Sequence, residues 1–256
     1  MIYKILAALF LSANLAYAAI VEIDHFNELP DYVDEKTLLL LDIDDTLIIP
    51  RQALGTDIWL LDRANQYKNS GLNPSAAFEK ALSEWEAVRL LTKVKLVEED
   101  TASVIQELQK KGVSMMGITA QGLALATRTL KQLGELGIDL QQAAPTQDDL
   151  YFFSENHGML FRKGIFFLAG KSKGKSFLTF LDRLRIRPER VVLIDDKLST
   201  LTEMEQALDA EHIPFVGLRY SFSDARIKAF NPQIADIQFH PFSTILSDEE
   251  AQSLLQ

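Results

Sequence analysis

Four short runs of this chain are apolar almost without interruption: TLLLLDI at 37–43, VSMMGIT at 113–119, VVLI at 191–194 and PFVGL at 214–218. A run that does not alternate with polar residues predicts a strand buried on both faces, as in a parallel sheet. Between these runs lie stretches whose apolar positions recur every three or four residues, at 98–111, 123–136, 175–184 and 199–210. That spacing predicts helices with one buried stripe. Strand and helix in alternation imply right-handed βαβ units. The expected fold is α/β, a three-layer Rossmann-like parallel sheet with helices on both faces.

Two regions break the rhythm. From 50 to 97 there is no comparable strand run, but PSAAFEKALSEWEAVRLL (74–91) places Phe78, Leu82, Trp85, Val88 and Leu91 at helical spacing. An insertion of this size after the first strand predicts a small helical cap over 50–97, with 19–49 and 98–256 as the core. The second region, 144–170, carries apolar runs around His157 and Gly158 that predict a hairpin. There are no repeats and no flexible Pro/Ser linker.

The amino terminus changes the expected location. A lysine at position 4, an apolar run over 5–15 and Ala16-Tyr17-Ala18 fit a secretory signal peptide over 1–18, cleaved after Ala18. The apolar run is short for a membrane span, and no other stretch is long enough for one. The chain is therefore expected to be exported, periplasmic or secreted, with no membrane span after cleavage. It carries a net charge of −10, and losing the signal removes one lysine and no acid. That balance argues against a nucleic-acid partner. With no cysteine, thiolate chemistry and disulfides are both excluded.

The candidate chemistry begins at LLLLDIDDTLI (38–48), an apolar strand ending in Asp42, Asp44 and Asp45. Like charges crowded at a sheet edge repel unless a cation lies between them. All-oxygen ligands select a hard ion, and Mg²⁺ suits a phosphate site because it keeps positions open for phosphate oxygens. Three further motifs follow. GITAQG (117–122) ends a strand at Thr119, a residue that also serves as an ordinary helix cap. AGKSKGKS (169–176) lies between an apolar run and a helical stretch, and by itself resembles a P-loop centred on Lys175, with Ala169 where that motif usually has Gly. VVLIDDK (191–197) ends a strand in Asp195 and Asp196.

Asp42-Ile43-Asp44-Asp45-Thr46 resembles the Asp-x-Asp-x-Thr signature of haloacid-dehalogenase-like (HAD) phosphatases. The resemblance implies that Asp42 is the nucleophile that becomes phosphorylated and that Asp44, just beyond the strand where the backbone turns, is the general acid and base. It implies that Thr119 binds a phosphoryl oxygen and that Lys173 offsets charge on nucleophile and phosphate. It also implies that Mg²⁺ is held by the Asp42 side chain, the Asp44 carbonyl and Asp196, with Asp195 supporting. ALGTDIWLLDR (53–63) resembles a stretch in an uncharacterised branch of the superfamily found in exported bacterial proteins, and the resemblance covers most of the mature chain.

The expected activity is hydrolysis of a small phosphorylated substrate, a phosphate monoester, by an exported Mg²⁺-dependent phosphatase. A phosphotransferase with the same intermediate and a non-catalytic binding or host-interaction protein on a HAD scaffold are the alternatives. A P-loop NTPase using 169–176 explains two motifs but leaves Asp42, Asp44 and Thr119 without a role. Trp59, Arg51 and Arg63 are candidates to line the cap, Trp59 more readily as a cap-core residue. His157 is a candidate substrate contact at the hairpin tip. His25, His212 and His240 show no metal-ligand spacing.

Overall fold

The computed structural model describes residues 18–154, 157–239 and 246–255. The expected signal peptide lies outside these residues except for Ala18, and so does His240. The strands are β1 (Ala18–Ile23), β2 (Thr37–Leu41), β3 (Ile48–Pro50), β4 (Val94–Leu96), β5 (Ser114–Thr119), β6 (Leu150–Ser154), β7 (His157–Arg162), β8 (Ile165–Phe167), β9 (Arg190–Asp195) and β10 (Phe215–Tyr220). The helices are α1 (Asp57–Asn69), α2 (Pro74–Leu91), α3 (Thr101–Lys110), α4 (Ala126–Glu135), α5 (Lys173–Leu184), α6 (Leu198–Ala210), α7 (Asp224–Lys228), α8 (Pro232–Phe239) and α9 (Asp248–Ser253).

Eight strands form one sheet in the order β1-β10-β9-β2-β5-β8-β7-β6. From β1 to β8 the neighbours are parallel, and β8, β7 and β6 are antiparallel. The continuous apolar runs are explained by the two cores they feed. Leu39, Leu41, Met115, Val192 and Ile194 pack with α3 and α4. Their neighbours Leu38, Leu40, Met116, Val191 and Leu193 pack with Phe177 and Phe180 of α5 and Leu201 and Met204 of α6. Alternate residues point to opposite faces of a strand, so a strand covered on both faces must be apolar throughout. The three-layer α/β architecture is the one the sequence pattern implies.

The differences are at the margins. β1 pairs with β10 at one edge, Ala18 opposite Phe215, where the sequence showed only the end of the leader. The short ribbon of β3 and β4 brackets α1 and α2, so a strand lies inside the 50–97 segment. Thr56 caps α1 by accepting from Trp59 N at 3.3 Å, and Asn73 caps α2 by accepting from Ala76 N at 3.0 Å, with Pro74 at the first helical position. The two helices share a small core of Leu54, Trp59, Trp85 and Val88, which Ala235 of α8 completes. Phe239 packs on Trp59 with ring centroids 5.5 Å apart. The helices beyond residue 224 carried no pattern strong enough to predict. Among the described residues no helix is long and apolar enough to cross a membrane.

One glycine in the lysine-rich loop has a packing role. A Cβ at Gly174 would stand 2.7 Å from Ala207 Cβ and 3.1 Å from Glu203 O, so α5 approaches α6 too closely for any side chain there. Replacing Gly by Ala in a helix favours the helix by about 1 kcal/mol, whereas overpacking costs about 1–3 kcal/mol. Gly174→Ala is therefore expected to destabilise the fold by about 1–2 kcal/mol in chemical denaturation, and a stabilised variant would contradict the close contact.

Candidate active site

The carboxyl ends of β2, β5 and β9 lie side by side, and the loops that leave them carry the polar residues. Asp42 continues the ladder beyond β2, its N–H donating to Ile194 O at 3.1 Å. The chain then turns tightly: Asp45 has φ 61, and Leu47 and Ile48 both donate to Ile43 O at 3.0 Å. An aspartate tolerates this left-handed conformation better than most residues. The turn lets Thr46 Oγ1 donate back to Asp42 Oδ2 at 3.2 Å, fixing that carboxylate.

Strand parity decides what Asp42 and Asp195 meet. Both continue the set of alternate residues that faces α5 and α6, after Leu38 and Leu40 in one strand and Val191 and Leu193 in the other. Lys173, the first residue of α5 and buried, donates from Nζ to Asp42 Oδ1 at 2.6 Å and to Asp195 Oδ2 at 2.7 Å. Lys175 is exposed, and its backbone N–H donates to the Ser172 cap at 3.2 Å. A P-loop would need the opposite arrangement. The helix also begins two residues earlier than its apolar periodicity suggested.

The second oxygen of Asp195 accepts from Lys197 N at 2.8 Å. Asp196 differs, because its buried Oδ1 has no hydrogen-bond partner among the described residues. Oxygens of Asp42, Asp195 and Asp196 lie within 4.8 Å of one another. Three carboxylates converging on one point, one with an unpartnered buried oxygen, fit a hard divalent cation.

Asp44 faces the other way. Arg89 on α2 donates to its Oδ1 at 2.5 Å and Gln121 Nε2 to its Oδ2 at 2.6 Å. Thr129 Oγ1 donates to Gln121 Oε1 at 2.6 Å and so sets the amide's orientation. Lys197 Nζ donates to Asp57 on α1 at 2.9 Å and lies 3.8 Å from Asp196 Oδ1. Thus two ion pairs tie the helix pair to the sheet through the acidic cluster. Sequence reasoning missed Arg89, Gln121, Asp57 and Lys197. Gln121 and Lys197 stand inside motifs already singled out. Arg89 had a signal as well: it falls four residues after Trp85 and eight after Ala81, on the buried stripe of α2.

A cavity of about 320 Å³ opens over these residues. Asp42, Thr119 and Lys173 lie on its sheet side, while Leu60, Phe78 and Trp85 line the wall made by α1 and α2. Thr119 is buried at the end of β5, its Oγ1 accepting from Gln121 N at 3.2 Å. Of the other candidates, Trp59 is fully buried in the small core. Arg63 is not in the wall because it pairs with Glu84 at 2.9 Å. Arg51 is exposed and donates from Nε to Val94 O at 3.3 Å. His157 lies in β7, but its side chain is outside the described residues. His25 bonds Glu98 at 2.9 Å.

A family model matches residues 22–252 under the description "Protein of unknown function (DUF2608)". The chain belongs to the DUF2608 family. It is 25% identical over 268 residues to a Chlamydia pneumoniae protein named "Putative outer membrane protein", covering 99% of this chain and 96% of the relative. Among solved structures it is similar to the HAD domain of effector protein Lem4 from Legionella pneumophila, at 13% identity and a TM-score of 0.38, covering 79% of this chain and 97% of that one. It is also similar to a "putative beta-phosphoglucomutase" from Thermotoga maritima, at 16% identity and a TM-score of 0.40, covering 86% and 98%.

The electrostatics of this DUF2608 site follow from burial. Burial opposes the charge of Lys173, but Asp195 and Asp42 outweigh it and raise its pKa above the usual lysine value. Asp57 does the same for Lys197. Burial raises Asp44 above the ordinary carboxylate range against the pull of Arg89. It also pushes Asp195 up to about 6, Asp45 to about 7 and Asp196 to about 9. These last three hold protons more tightly folded than unfolded, where carboxylates titrate near pH 4. Without a divalent cation, stability is expected to fall as pH rises from about 4 to about 9. A cation binds the deprotonated form and offsets that loss. The melting temperature in EDTA should drop across this interval, and the gap between Mg²⁺ and EDTA samples should widen with pH. A gap independent of pH would contradict the assignment.

Proposed function

We propose that this chain is an exported, Mg²⁺-dependent phosphatase of HAD type, hydrolysing a small phosphate monoester through an aspartyl-phosphate on Asp42, beneath a helical cap formed by α1 and α2. The observation that carries this is the single ammonium of Lys173 shared by Asp42 and Asp195, on the wall of a cavity that also holds Thr119 and Asp44. The location rests on the leader-like first 18 residues and agrees with the name of the Chlamydia pneumoniae relative.

The Lys173 ammonium, 2.6 Å from Asp42 Oδ1, orients the nucleophile and offsets its charge. An Asp42 oxygen attacks phosphorus, forming the acyl-phosphate bond as the bond from phosphorus to the ester oxygen breaks. Asp44 gives its proton to that departing oxygen. Water then attacks the same phosphorus, its proton passes to the Asp44 carboxylate, and the bond to Asp42 breaks to release inorganic phosphate. The Thr119 hydroxyl and Lys173 meet the charge on the phosphoryl oxygens. The Asp42 side chain, the Asp44 carbonyl and Asp196 would hold Mg²⁺, with Asp195 in support, and the ion would supply further positive charge to those oxygens.

Asp44 accepts from donors at both oxygens, which favours the carboxylate that activates water. The protonated form needs one oxygen released. Arg89 sits on the cap, so movement of α2 would couple cap position to the acid form.

A panel of phosphate esters with and without Mg²⁺ tests the reaction class. Phosphate release should disappear in Asp42→Asn and fall about a hundredfold or more in Lys173→Ala. Lys175→Ala, at an exposed position, should stay within about threefold of the parent. Loss of turnover in Lys175→Ala alone, or nucleotide hydrolysis surviving Asp42→Asn, would replace this assignment with a P-loop NTPase.

A further inference from the structure

One carboxylate in the cavity wall has no part in the chemistry above. Glu86 follows Trp85 on α2, lines the same cavity and is half-buried. Among the described residues it makes neither a hydrogen bond nor an ion pair. The cations around it are committed elsewhere: Lys173 to Asp42 and Asp195, Lys197 to Asp57, and Arg89, three residues further along α2, to Asp44. Burial alone raises its pKa above the ordinary value, as for a carboxylate that has lost water and gained no partner.

The loop after β5 lies against it. Gly122, three residues from Thr119, faces it: a Cβ there would lie 2.7 Å from Glu86 Oε1, so the carboxylate rests directly against this loop. Phe78 and Trp85 share the wall with Glu86. A carboxylate without a partner in a partly apolar wall attracts a cation by charge, while the Trp85 ring already carries the Arg89 guanidinium 5.3 Å from its centroid. Among the residues lining this wall, no unpaired cation is left for a second phosphate or a carboxylate on the ligand. At about 320 Å³ the cavity is at the small end of the range for ligand sites.

We infer that the substrate is a small phosphate monoester whose alcohol carries an ammonium group, the phosphate at Lys173 and Thr119 and the ammonium at Glu86 on the α2 wall. This rests on the phosphatase assignment. The test compares kcat/KM for phosphocholine with that for 3,3-dimethylbutyl phosphate, its uncharged isostere, in the mature chain with Mg²⁺. The cationic ester should be favoured about tenfold or more. Glu86→Gln should remove most of that preference while keeping the parent's circular dichroism and melting temperature. A ratio near one in the parent, or a ratio unchanged in Glu86→Gln, would overturn the inference and leave the phosphatase intact. If neither ester is hydrolysed, the wider ester panel decides the phosphatase assignment. Calorimetric titration of the two esters then decides the charge preference: tighter phosphocholine binding sustains it, and equal or no binding overturns it.

Discussion

Crowding of buried carboxylates at one edge of the sheet is the constraint around which this molecule is built. Asp42, Asp44, Asp45, Asp195 and Asp196 are all buried, and Asp57 approaches from α1. Isolated charges in such a place would be costly by several kcal/mol each. Lys173, Lys197 and Arg89 answer part of that charge through contacts of 2.5–2.9 Å. Among the described residues the buried oxygen of Asp196 has no hydrogen bond and only the Lys197 ammonium 3.8 Å away, and there a divalent cation fits.

The counter-charges come from different parts of the chain, and this gives the site its second property. Lys173 and Lys197 stand at the starts of α5 and α6, whereas Arg89 and Asp57 belong to the helix pair α1 and α2. Closing the helix pair onto the sheet therefore pairs charges that would otherwise be buried alone. Trp85 and Leu125 share one buried apolar cluster across the two bodies. The ion pairs make the placement of α1 and α2 sensitive to whatever occupies the cavity.

The lysine-rich loop shows how local pattern can mislead. Gly174 and Lys175 complete a P-loop look-alike, yet Gly174 is there because α6 passes close by, and Lys175 points to solvent. Ser172, caught between Lys175 N and the Glu203 side chain, caps the helix. Only the position of Lys173 relative to two strands separates the meanings.

The sequence by itself determined the α/β core, because strands buried on two faces must be apolar throughout and helices between them must carry a stripe. It also marked Asp42, Asp44, Thr119, Lys173, Asp195 and Asp196, since each stands at a strand end or helix start where a parallel sheet gathers ligands. That Asp42 and Asp195 share a face follows from the β2–β9 register, Leu41 opposite Ile194. Tertiary structure alone decided the rest. Arg89 and Glu86 sit on one helix three residues apart, and nothing local tells that one pairs with Asp44 while the other stays unpaired. Which charge meets which depends on how α2 lies across the sheet, a distance of packing and not of sequence.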